Sequence, residues 1–563
     1  MRSGLVTGTV AAGKIPPVTG SYIPRQETGL SLPSLPVGRT TVLVPAVGTA
    51  PGLAWLGGTG KTTLACALAH AQRADQAAEL VLWVTATSRD AVISGYAQAL
   101  AELDGAEHQG EPEQAAERLL DRLAATDRPW LVVIDDLTDS SAVDGLCPAG
   151  SAGRVLLTAR QPDAAAAIHR AEVIPVGAFS PREAMAYLSA SLRADPGQRT
   201  GALDLATELG FEPAPLSLAA AAMASTGLDC RRYLAYLSER RQALGRSFGS
   251  ASAASLAAAW SLSCELADQL GPGAMARRML ALISMLAPHG VPGAVLASDA
   301  ARAYLSGGQG FLAEGAQVRA ALSGLARAGL VTVDEASPAR TVLVHEAVQV
   351  LARQHMTTAE CEQAALAAAD ALVEAWPDED AGSPAVQALR DCTWKLREIA
   401  GTLLWQPQCH PVLVRYGQSL DAAGLTGLAV TYWQAMLGNA RQMLGADHPQ
   451  TVAARGLLGA ACEASGRIDE AISVYEAVHG DAEGTLGPGH PDTIRVRSDV
   501  ALSYLWLRKF KLAIVAYERA LADAERALGS SHPITEQARQ DLTEAAAVAT
   551  AVLGIELRSA RPG

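Results

Sequence analysis

The sequence predicts a multidomain protein, with an α/β domain built on a parallel sheet in the N-terminal half and an α-helical solenoid at the C-terminus. Three observations predict this. Short apolar runs alternate with helical patterns between residues 53 and 160, which is typical of βαβ units. A glycine-rich turn is followed by an Ala/Leu helix pattern from residue 61. An eight-residue motif recurs three times near the C-terminus at a fixed period.

Length and composition limit the possibilities further. At about 150 residues per domain, 563 residues predict three or four domains. A hydrophobic content of 49% excludes a wholly disordered chain. The sequence lacks the roughly 18 unbroken apolar residues of a membrane span and the apolar core of a signal peptide, so we expect a cytoplasmic protein without membrane contact. The net charge of −13 offers no general attraction to nucleic acid, which is not an expected partner.

Residues 53–70, LAWLGGTGKTTLACALAH, form the strand–turn–helix pattern of a P-loop rather than a simple glycine-rich turn. Backbone N–H groups of such a turn converge on phosphate oxygens, and the following helix adds its positive end. Lys61 is expected to reach the β- and γ-phosphates, and the Thr62 hydroxyl is expected to coordinate Mg²⁺. Trp55 occupies the position of the first consensus glycine, which predicts low turnover. The predicted nucleotide-binding residues are Gly57, Gly58, Thr59, Gly60, Lys61, Thr62 and Thr63.

An acidic strand is the second element. Residues 130–137, WLVVIDDL, read as a strand buried on both faces, with carboxylates at the end where ligands bind in α/β sheets. Asp135 is expected to hold Mg²⁺ through water, and Asp136 to polarise an attacking water. The alternative is a buried strand followed by an ordinary acidic turn.

Two further apolar runs, at residues 80–84 and 154–160, complete the predicted parallel sheet. Arg160 lies just beyond the second of these strands. We expect it to contact a γ-phosphate and sense hydrolysis, and the alternative is a solvated surface arginine.

These motifs resemble those of the NB-ARC-type signal-transduction ATPases, the STAND class, and especially its bacterial members with tetratricopeptide repeats. Gly-Gly-Thr-Gly-Lys-Thr-Thr resembles the class P-loop, Val-Val-Ile-Asp-Asp-Leu its Walker B strand and Val-Leu-Leu-Thr-Ala-Arg its first sensor strand. The resemblance implies a P-loop NTPase domain, a helical lid and a winged helix. It also implies that Pro215, in the imperfect Gly-x-Pro element, packs on adenine and that His345 contacts the ADP β-phosphate. Without the resemblance, His345 would be read as a structural histidine.

The C-terminal repeat has a 42-residue period, with Leu-Gly-x-x-His-Pro-x-Thr at His448, His490 and His532. This pattern resembles the tetratricopeptide repeats of kinesin light chains. Corresponding positions in stacked helical hairpins would lie on the order of 10 Å apart, which is too far for the three histidines to share one metal ion. Each His-Pro step is instead expected to begin a helix. Small and aromatic residues recur at the same period, and the small ones are expected to permit close helix crossing while the aromatic ones fill the gaps beside them: Gly417, Gly459 and Ala501; Ala429, Ala471 and Ala513; Trp433, Tyr475 and Tyr517.

The predicted organisation is an N-terminal segment (1–40), the P-loop NTPase domain (41–178), the lid (179–250), a winged-helix-like domain (251–358), a helical linker or degenerate repeat (359–410), the repeats (411–550) and a tail (551–563).

Together these features predict an ATP/ADP-binding switch with Mg²⁺ as cofactor. Its repeats would bind a protein or peptide on their concave face. It would be at most a slow ATPase, and it could form a homo-oligomer with ATP. One alternative is a non-enzymatic repeat scaffold with a structural nucleotide. Another is a transcriptional regulator of the bacterial antibiotic-regulator type that lacks its own DNA-binding domain.

Overall fold

The computed structural model describes residues 10–13, 15–18, 20–25, 35–46, 58–75, 77–104, 111–166, 168, 171–244, 251–308, 310–378, 383–445, 448–506 and 508–553. The chain divides into two compact units, Met1–Gly401 and Thr402–Gly563. The described helices include none that is long and apolar enough to cross a membrane.

The first unit contains a six-stranded sheet made of β1 (Val10–Ala12), β2 (Thr40–Pro45), β3 (Leu80–Thr85), β4 (Trp130–Leu137), β5 (Gly153–Ala159) and β6 (Glu172–Val176). The strand order is β1-β3-β4-β5-β2-β6, and every neighbouring pair is parallel. The predicted parallel sheet is therefore confirmed, and β3, β4 and β5 form where the three apolar runs lie. Strand β1 adds an edge from the segment predicted only as an N-terminal extension.

Within the described residues, four helices accompany the sheet: α1 (Lys61–Ala74), α2 (Arg89–Asp104), α3 (Pro112–Ala125) and α4 (Pro162–Ala166). The core between α1 and the sheet joins Leu64 and Leu68 to buried residues of β2, β3, β4 and β5. Because all strands are parallel, their carboxyl ends meet at one edge, and α1 begins at that edge. The fold thus brings the glycine-rich turn next to the acidic end of β4.

A small helical region follows the sheet, with α5 (Pro181–Ser191), α6 (Ala202–Glu208), α7 (Pro213–Thr226) and α8 (Cys230–Leu244). Ser180 and Glu183 form a capping box at the start of α5. Helix α7 begins with Pro213 at its first position, where the missing N–H is harmless, and ends at Gly227 with φ of 76°.

The rest of the first unit consists of α9 (Ala251–Leu270), α10 (Ala274–Ile283), α11 (Gly293–Ala297), α12 (Asp299–Leu305), α13 (Gly315–Arg327), β7 (Thr332–Val333), β8 (Val342–Leu343), α14 (Glu346–Gln354), α15 (Thr358–Ala375) and α16 (Pro384–Ala400). Strands β7 and β8 pair antiparallel, and Val291 adds an isolated bridge to Val342. Helices followed by a small hairpin are compatible with the winged-helix prediction, which stays a prediction.

The second unit contains α17 (Pro411–Ala422), α18 (Thr426–Met443), α19 (Pro449–Ala464), α20 (Ile468–Leu486), α21 (Pro491–Trp506), α22 (Phe510–Leu528) and α23 (Pro533–Leu553). Each helix packs on its neighbour in sequence, as expected of a helical-hairpin solenoid.

The repeat motif has the predicted structural role. His448, His490 and His532 directly precede helices that begin with proline, and Nδ1 of each histidine accepts the N–H two residues later, at 3.3 Å. Where the helices cross, a Cβ added to Gly417 would lie 2.3 Å from the Trp433 ring, and one added to Gly459 would lie 2.3 Å from the Tyr475 ring. The small and aromatic residues therefore pair as the sequence predicts.

Candidate functional site

The glycine-rich turn leads directly into α1. Gly58 and Gly60 have φ of 86° and 87°, a left-handed conformation that side chains with a Cβ rarely adopt. Thr59 is buried, and its Oγ1 has no hydrogen-bond partner among the described residues. An orphaned hydroxyl in a glycine turn at a helix N-terminus fits a bound phosphate group. Gly57, Trp55 and the apolar run at 53–56 lie outside the described residues, and the described strand that precedes α1 is β2.

Lys61, Thr62 and Thr63 form the first turn of α1. Lys61 is buried, and its burial lowers the pKa of its ammonium group although Asp135 and Asp136 oppose that effect. An ammonium group held away from water has much to gain from an anionic ligand.

A hydroxyl and a carboxylate meet at the predicted metal position. Thr62 Oγ1 donates to Asp135 Oδ1 at 2.9 Å, and Thr158 Oγ1 donates to the same oxygen at 2.6 Å. Asp135 is buried at the end of β4, and burial raises the pKa of its carboxyl group. Mg²⁺ is commonly held by one or two protein oxygens together with phosphates and waters, so this pair fits that ion.

The neighbouring carboxylate has different partners. Asp136 has φ of 66°, and its N–H donates to Thr158 Oγ1 at 2.8 Å. Arg160 Nε donates to Asp136 Oδ1 at 2.7 Å, and His289 Nε2 contacts Oδ2. Burial would raise the pKa of Asp136, but His289 and Arg160 together hold it far below its usual range. In this conformation Asp136 is a poor proton acceptor, because both its oxygens bind cationic or donor groups.

Arg160 connects the sheet to α14. Its guanidinium group contacts Glu346, the first residue of that helix, as well as Asp136. Lys395 of α16 also approaches Glu346, with Nζ 3.5 Å from Oε1. The side chains of Arg160 and Glu346 are only 15% and 11% exposed, so this is a largely buried ion pair between two regions of the first unit.

His345 faces the glycine-rich turn. It caps α14, with Nδ1 accepting the Ala347 N–H at 3.1 Å. Its Cε1 and Nε2 lie 3.3 and 3.6 Å from where a Cβ on Gly58 would be. Burial lowers the pKa of His345 to about 4, so the ring is neutral at pH 7. Because Nδ1 is the acceptor, Nε2 carries the proton and presents a donor beside the turn.

The first turn of α7 approaches from another side. A Cβ on Gly58 would lie 2.8 Å from Ala214 Cβ, so the backbone of the turn and α7 are in close contact. Pro215 is buried in the same helical turn. Ala214 of α7 therefore lies beside Gly58, and Pro215 follows it in the sequence.

Arg25 also belongs to this site, although no motif in the sequence indicated it. Its Nη1 donates to the Thr59 carbonyl at 3.1 Å, and its Nη2 donates to the Ala178 carbonyl at 2.9 Å. The guanidinium also lies 4.7 Å from the Phe179 ring centroid. Arg25 therefore ties the glycine-rich turn to the segment between β6 and α5.

Sequence reasoning missed Arg25, His289 and Glu346. Arg25 lies in a segment without regular periodicity, and His289 follows Pro288 in a loop. Glu346 directly follows the predicted His345 in the sequence, and this position is the one signal that could have indicated Glu346. The predicted site residues within the described part of the chain lie at this edge of the sheet, in the first turn of α7 or at the start of α14.

Comparisons with known families match three parts of the chain. Residues 51–194 match the NB-ARC domain, residues 268–361 match a domain of unknown function, DUF7779, and residues 493–534 match a tetratricopeptide repeat. No curated protein is significantly similar to the chain.

Solved structures give more distant likenesses. A STAND protein with a tetratricopeptide repeat sensor from Pyrococcus horikoshii is 14% identical with a TM-score of 0.39, over 95% of this chain and 87% of that chain. Nearly identical TPR-like repeats of kinesin light chain type from Podosopora anserina are 21% identical with a TM-score of 0.27, over 30% of this chain and 82% of that chain. BtubC from P. vanneervenii is 13% identical with a TM-score of 0.23, over 36% of this chain and 85% of that chain. These scores are too low to support an argument.

The parallel sheet, the turn at Lys61 and the NB-ARC match define a nucleotide-binding P-loop protein. More particularly, the chain combines a region that matches the NB-ARC domain with C-terminal helical hairpins that include a match to a tetratricopeptide repeat, and both lie where the motifs predict them.

Proposed function

We propose that the protein is a nucleotide-dependent switch that alternates between an ADP-bound closed form and an ATP-bound open form. The observation that carries this proposal is the contact of α14 with the P-loop domain through two adjacent residues. His345 faces Gly58, and Glu346 pairs with Arg160. In this arrangement the neutral ring of His345 offers a hydrogen-bond donor to the phosphate nearest the turn. The guanidinium group of Arg160 is already paired with Asp136 and Glu346.

The same contacts explain how ATP would favour a different form. Arg160 is the candidate for the γ-phosphate, but here it binds Asp136 and Glu346. A γ-phosphate competes for the guanidinium group, so engagement of ATP would weaken the pair with Glu346. Because a ligand shifts an equilibrium only by its differential affinity for the two forms, this exchange of partners is the physical basis of the switch.

Mg²⁺ would be held by Thr62 and Asp135, where it would neutralise phosphate charge. Asp135→Asn should therefore weaken binding of Mg²⁺-ATP by about tenfold and leave binding of ADP without Mg²⁺ within about twofold. Hydrolysis, where it occurs, is slow, since Asp136 is occupied by Arg160 and His289 in the closed form. Its role would be to reset the switch.

The repeats would bind a protein or peptide on their concave face and bias the same equilibrium, which gives reciprocal coupling between partner and nucleotide. The ATP-bound form would be the one that self-associates. A scaffold with a structural nucleotide predicts instead that ATP and ADP leave shape and partner binding unchanged.

The test is the nucleotide content of the purified full-length protein, followed by its hydrodynamic radius in ADP and in ATP-Mg²⁺. We expect co-purifying ADP and a larger radius with ATP. Lys61→Ala should lose the nucleotide. Arg73→Ala, which removes an exposed basic residue from the last turn of the same helix, should retain it. Equal nucleotide content in both variants, or one radius in both nucleotides, would refute the switch.

A further inference from the structure

A cleft of about 980 Å³ lies between helices α8, α9, α10, α12, α14 and α15, away from the glycine-rich turn. Its volume is within the range of sites that enclose small organic molecules. The residues that matter for its chemistry are Trp260, Arg278, Tyr304, Gly307 and His355.

Arg278 supplies positive charge to the cleft. Its Nε donates to the Leu305 carbonyl at 2.8 Å, which fixes the orientation of the guanidinium group. The group lies against Gly307, where an added Cβ would be 3.1 Å from Cζ and Nη1. No described residue accepts a hydrogen bond from either Nη atom of Arg278. A fixed guanidinium with two donors available is suited to a carboxylate, sulfonate or phosphate.

The other charged groups that line the cleft have partners. Arg240 pairs with Glu265, at 2.5 Å, and Arg277 contacts Asp268. Glu360 accepts the N–H and hydroxyl of Thr357 as part of a helix cap. Glu360 keeps its negative charge, and Arg278 is the cationic group of the lining whose terminal donors are available to an anionic ligand.

An aromatic pair forms another part of the lining. The Trp260 and His355 rings are 4.5 Å apart with an interplanar angle of 39°. His355 Nδ1 is within 2.8 Å of the Leu351 carbonyl, which fixes the imidazole. Trp260 is buried, and its Nε1 has no hydrogen-bond partner among the described residues. Indole and imidazole rings favour contact with a planar apolar group.

We propose that this cleft binds a small organic anion with an aromatic ring, its acidic group on Arg278 and its ring against Trp260 and His355. The cleft also contacts the C-terminal end of α14, opposite to the end that faces the glycine-rich turn. Ala352 and His355 line it, whereas His345 and Glu346 at the start of that helix face the P-loop domain. A ligand that moves α14 alters the contacts of His345 and Glu346, so occupancy changes the rate of ADP release; this part rests on the proposed function.

The probes are 8-anilinonaphthalene-1-sulfonate and N-phenyl-1-naphthylamine, which share a ring system but differ in the sulfonate. Fluorescence titration of the full-length protein should show one saturable site for the sulfonate. Arg278→Gln should weaken the sulfonate by about tenfold and the neutral amine by less than about twofold, because only the former contacts the guanidinium. Arg319→Gln, an exposed arginine on α13 outside the cleft, is the matched control.

Ala303→Phe is the second variant, because Ala303 lines the cleft but is exposed, so the added ring fills space without disturbing the core. It should weaken both probes, and circular dichroism should show that each variant is folded. Equal sulfonate affinity in Arg278→Gln and Arg319→Gln would overturn the site.

Retention of radiolabelled ADP on filters, with and without the sulfonate, tests the coupling. We expect a change in release rate of at least about threefold that is absent in Arg278→Gln. An unchanged rate in the wild type would overturn the coupling and leave the site in place. Failure to bind ADP at all would refute the proposed function, while the titrations would still decide the site.

Discussion

Arg160, at the end of β5, and Glu346, at the start of α14, form a largely buried ion pair that joins the P-loop domain to the region carrying His345. Its two members are 186 residues apart in the chain. The pair is shared with Asp136 on one side and Lys395 on the other. A change at the nucleotide that withdraws Arg160 would therefore leave Glu346 with one cationic partner, and the closed arrangement would lose part of its stabilisation.

Glu346→Gln should accelerate ADP release by about tenfold, since truncating the charge of one partner in a buried pair typically costs about 2 kcal/mol or more. The measurement is the dissociation rate of a fluorescent ADP analogue in stopped flow. Glu398→Gln is the control, because Glu398 contacts the same Lys395 at 3.1 Å but is 53% exposed. Identical rates in the two variants would show that the Arg160 pair does not hold the closed form.

His345→Asn separates helix capping from nucleotide contact. Asparagine is a good N-cap residue, so the stability of the nucleotide-free protein should change by less than about 0.5 kcal/mol. The variant lacks the Nε2 donor that faces Gly58, so ADP affinity should fall by about fivefold to tenfold while ATP affinity changes little. Isothermal titration calorimetry measures both. His532→Asn, at a histidine with the same capping geometry in the repeats, should leave both affinities unchanged.

The contact of His289 with Asp136 predicts that the proposed closed form is sensitive to pH. Burial would lower the pKa of His289, but the nearby Asp136 carboxylate raises it overall. A histidine with a raised folded-state pKa contributes full stabilisation below its unfolded value of about 6.5, and this contribution is lost as pH rises through the folded-state pKa. ADP release should therefore become faster as pH rises above about 6.5 and through the raised pKa of His289.

His289→Gln should make the release rate nearly independent of pH over this range. His345 cannot produce the effect, since its pKa of about 4 places its titration in the acid range. His345→Asn should accordingly keep the pH dependence of the wild type. A wild-type release rate that is flat as pH rises above about 6.5 would contradict the assigned role of His289.

The parallel sheet and the contact of the glycine-rich turn with the end of β4 were predictable, because each is indicated by a short, continuous sequence motif. Strands β3, β4 and β5 are buried on both faces, so each reads as an unbroken apolar run. The contact of Thr62 with Asp135 follows from two short motifs, because parallel strands place their carboxyl ends at the same edge as the start of α1.

The rest of the site depends on tertiary packing that leaves no periodic trace. His289 contacts Asp136 from 153 residues away, and Arg25 reaches Ala178 from a segment without regular structure. A single polar residue in a loop produces the same sequence pattern whether its side chain is solvated or paired with another side chain. For this reason the sequence indicated Asp136 as the group that polarises an attacking water, but it did not indicate the two side chains that pair with Asp136 and lower its pKa.

The crossing of α19 and α20 gives the last prediction, because two glycines of α19 differ only in what faces them. A Cβ on Gly459 would lie 2.3 Å from the Tyr475 ring, whereas one on Gly456 would meet nothing within 4 Å. Gly459→Ala should destabilise this helix pair by about 1–3 kcal/mol through overpacking, while Gly456→Ala should stabilise it by up to about 1 kcal/mol through helix propensity. Hydrogen–deuterium exchange of the α19 and α20 amides in the full-length protein measures both effects. Equal exchange in the two variants would mean that the close approach of Gly459 to Tyr475 does not hold the repeats together.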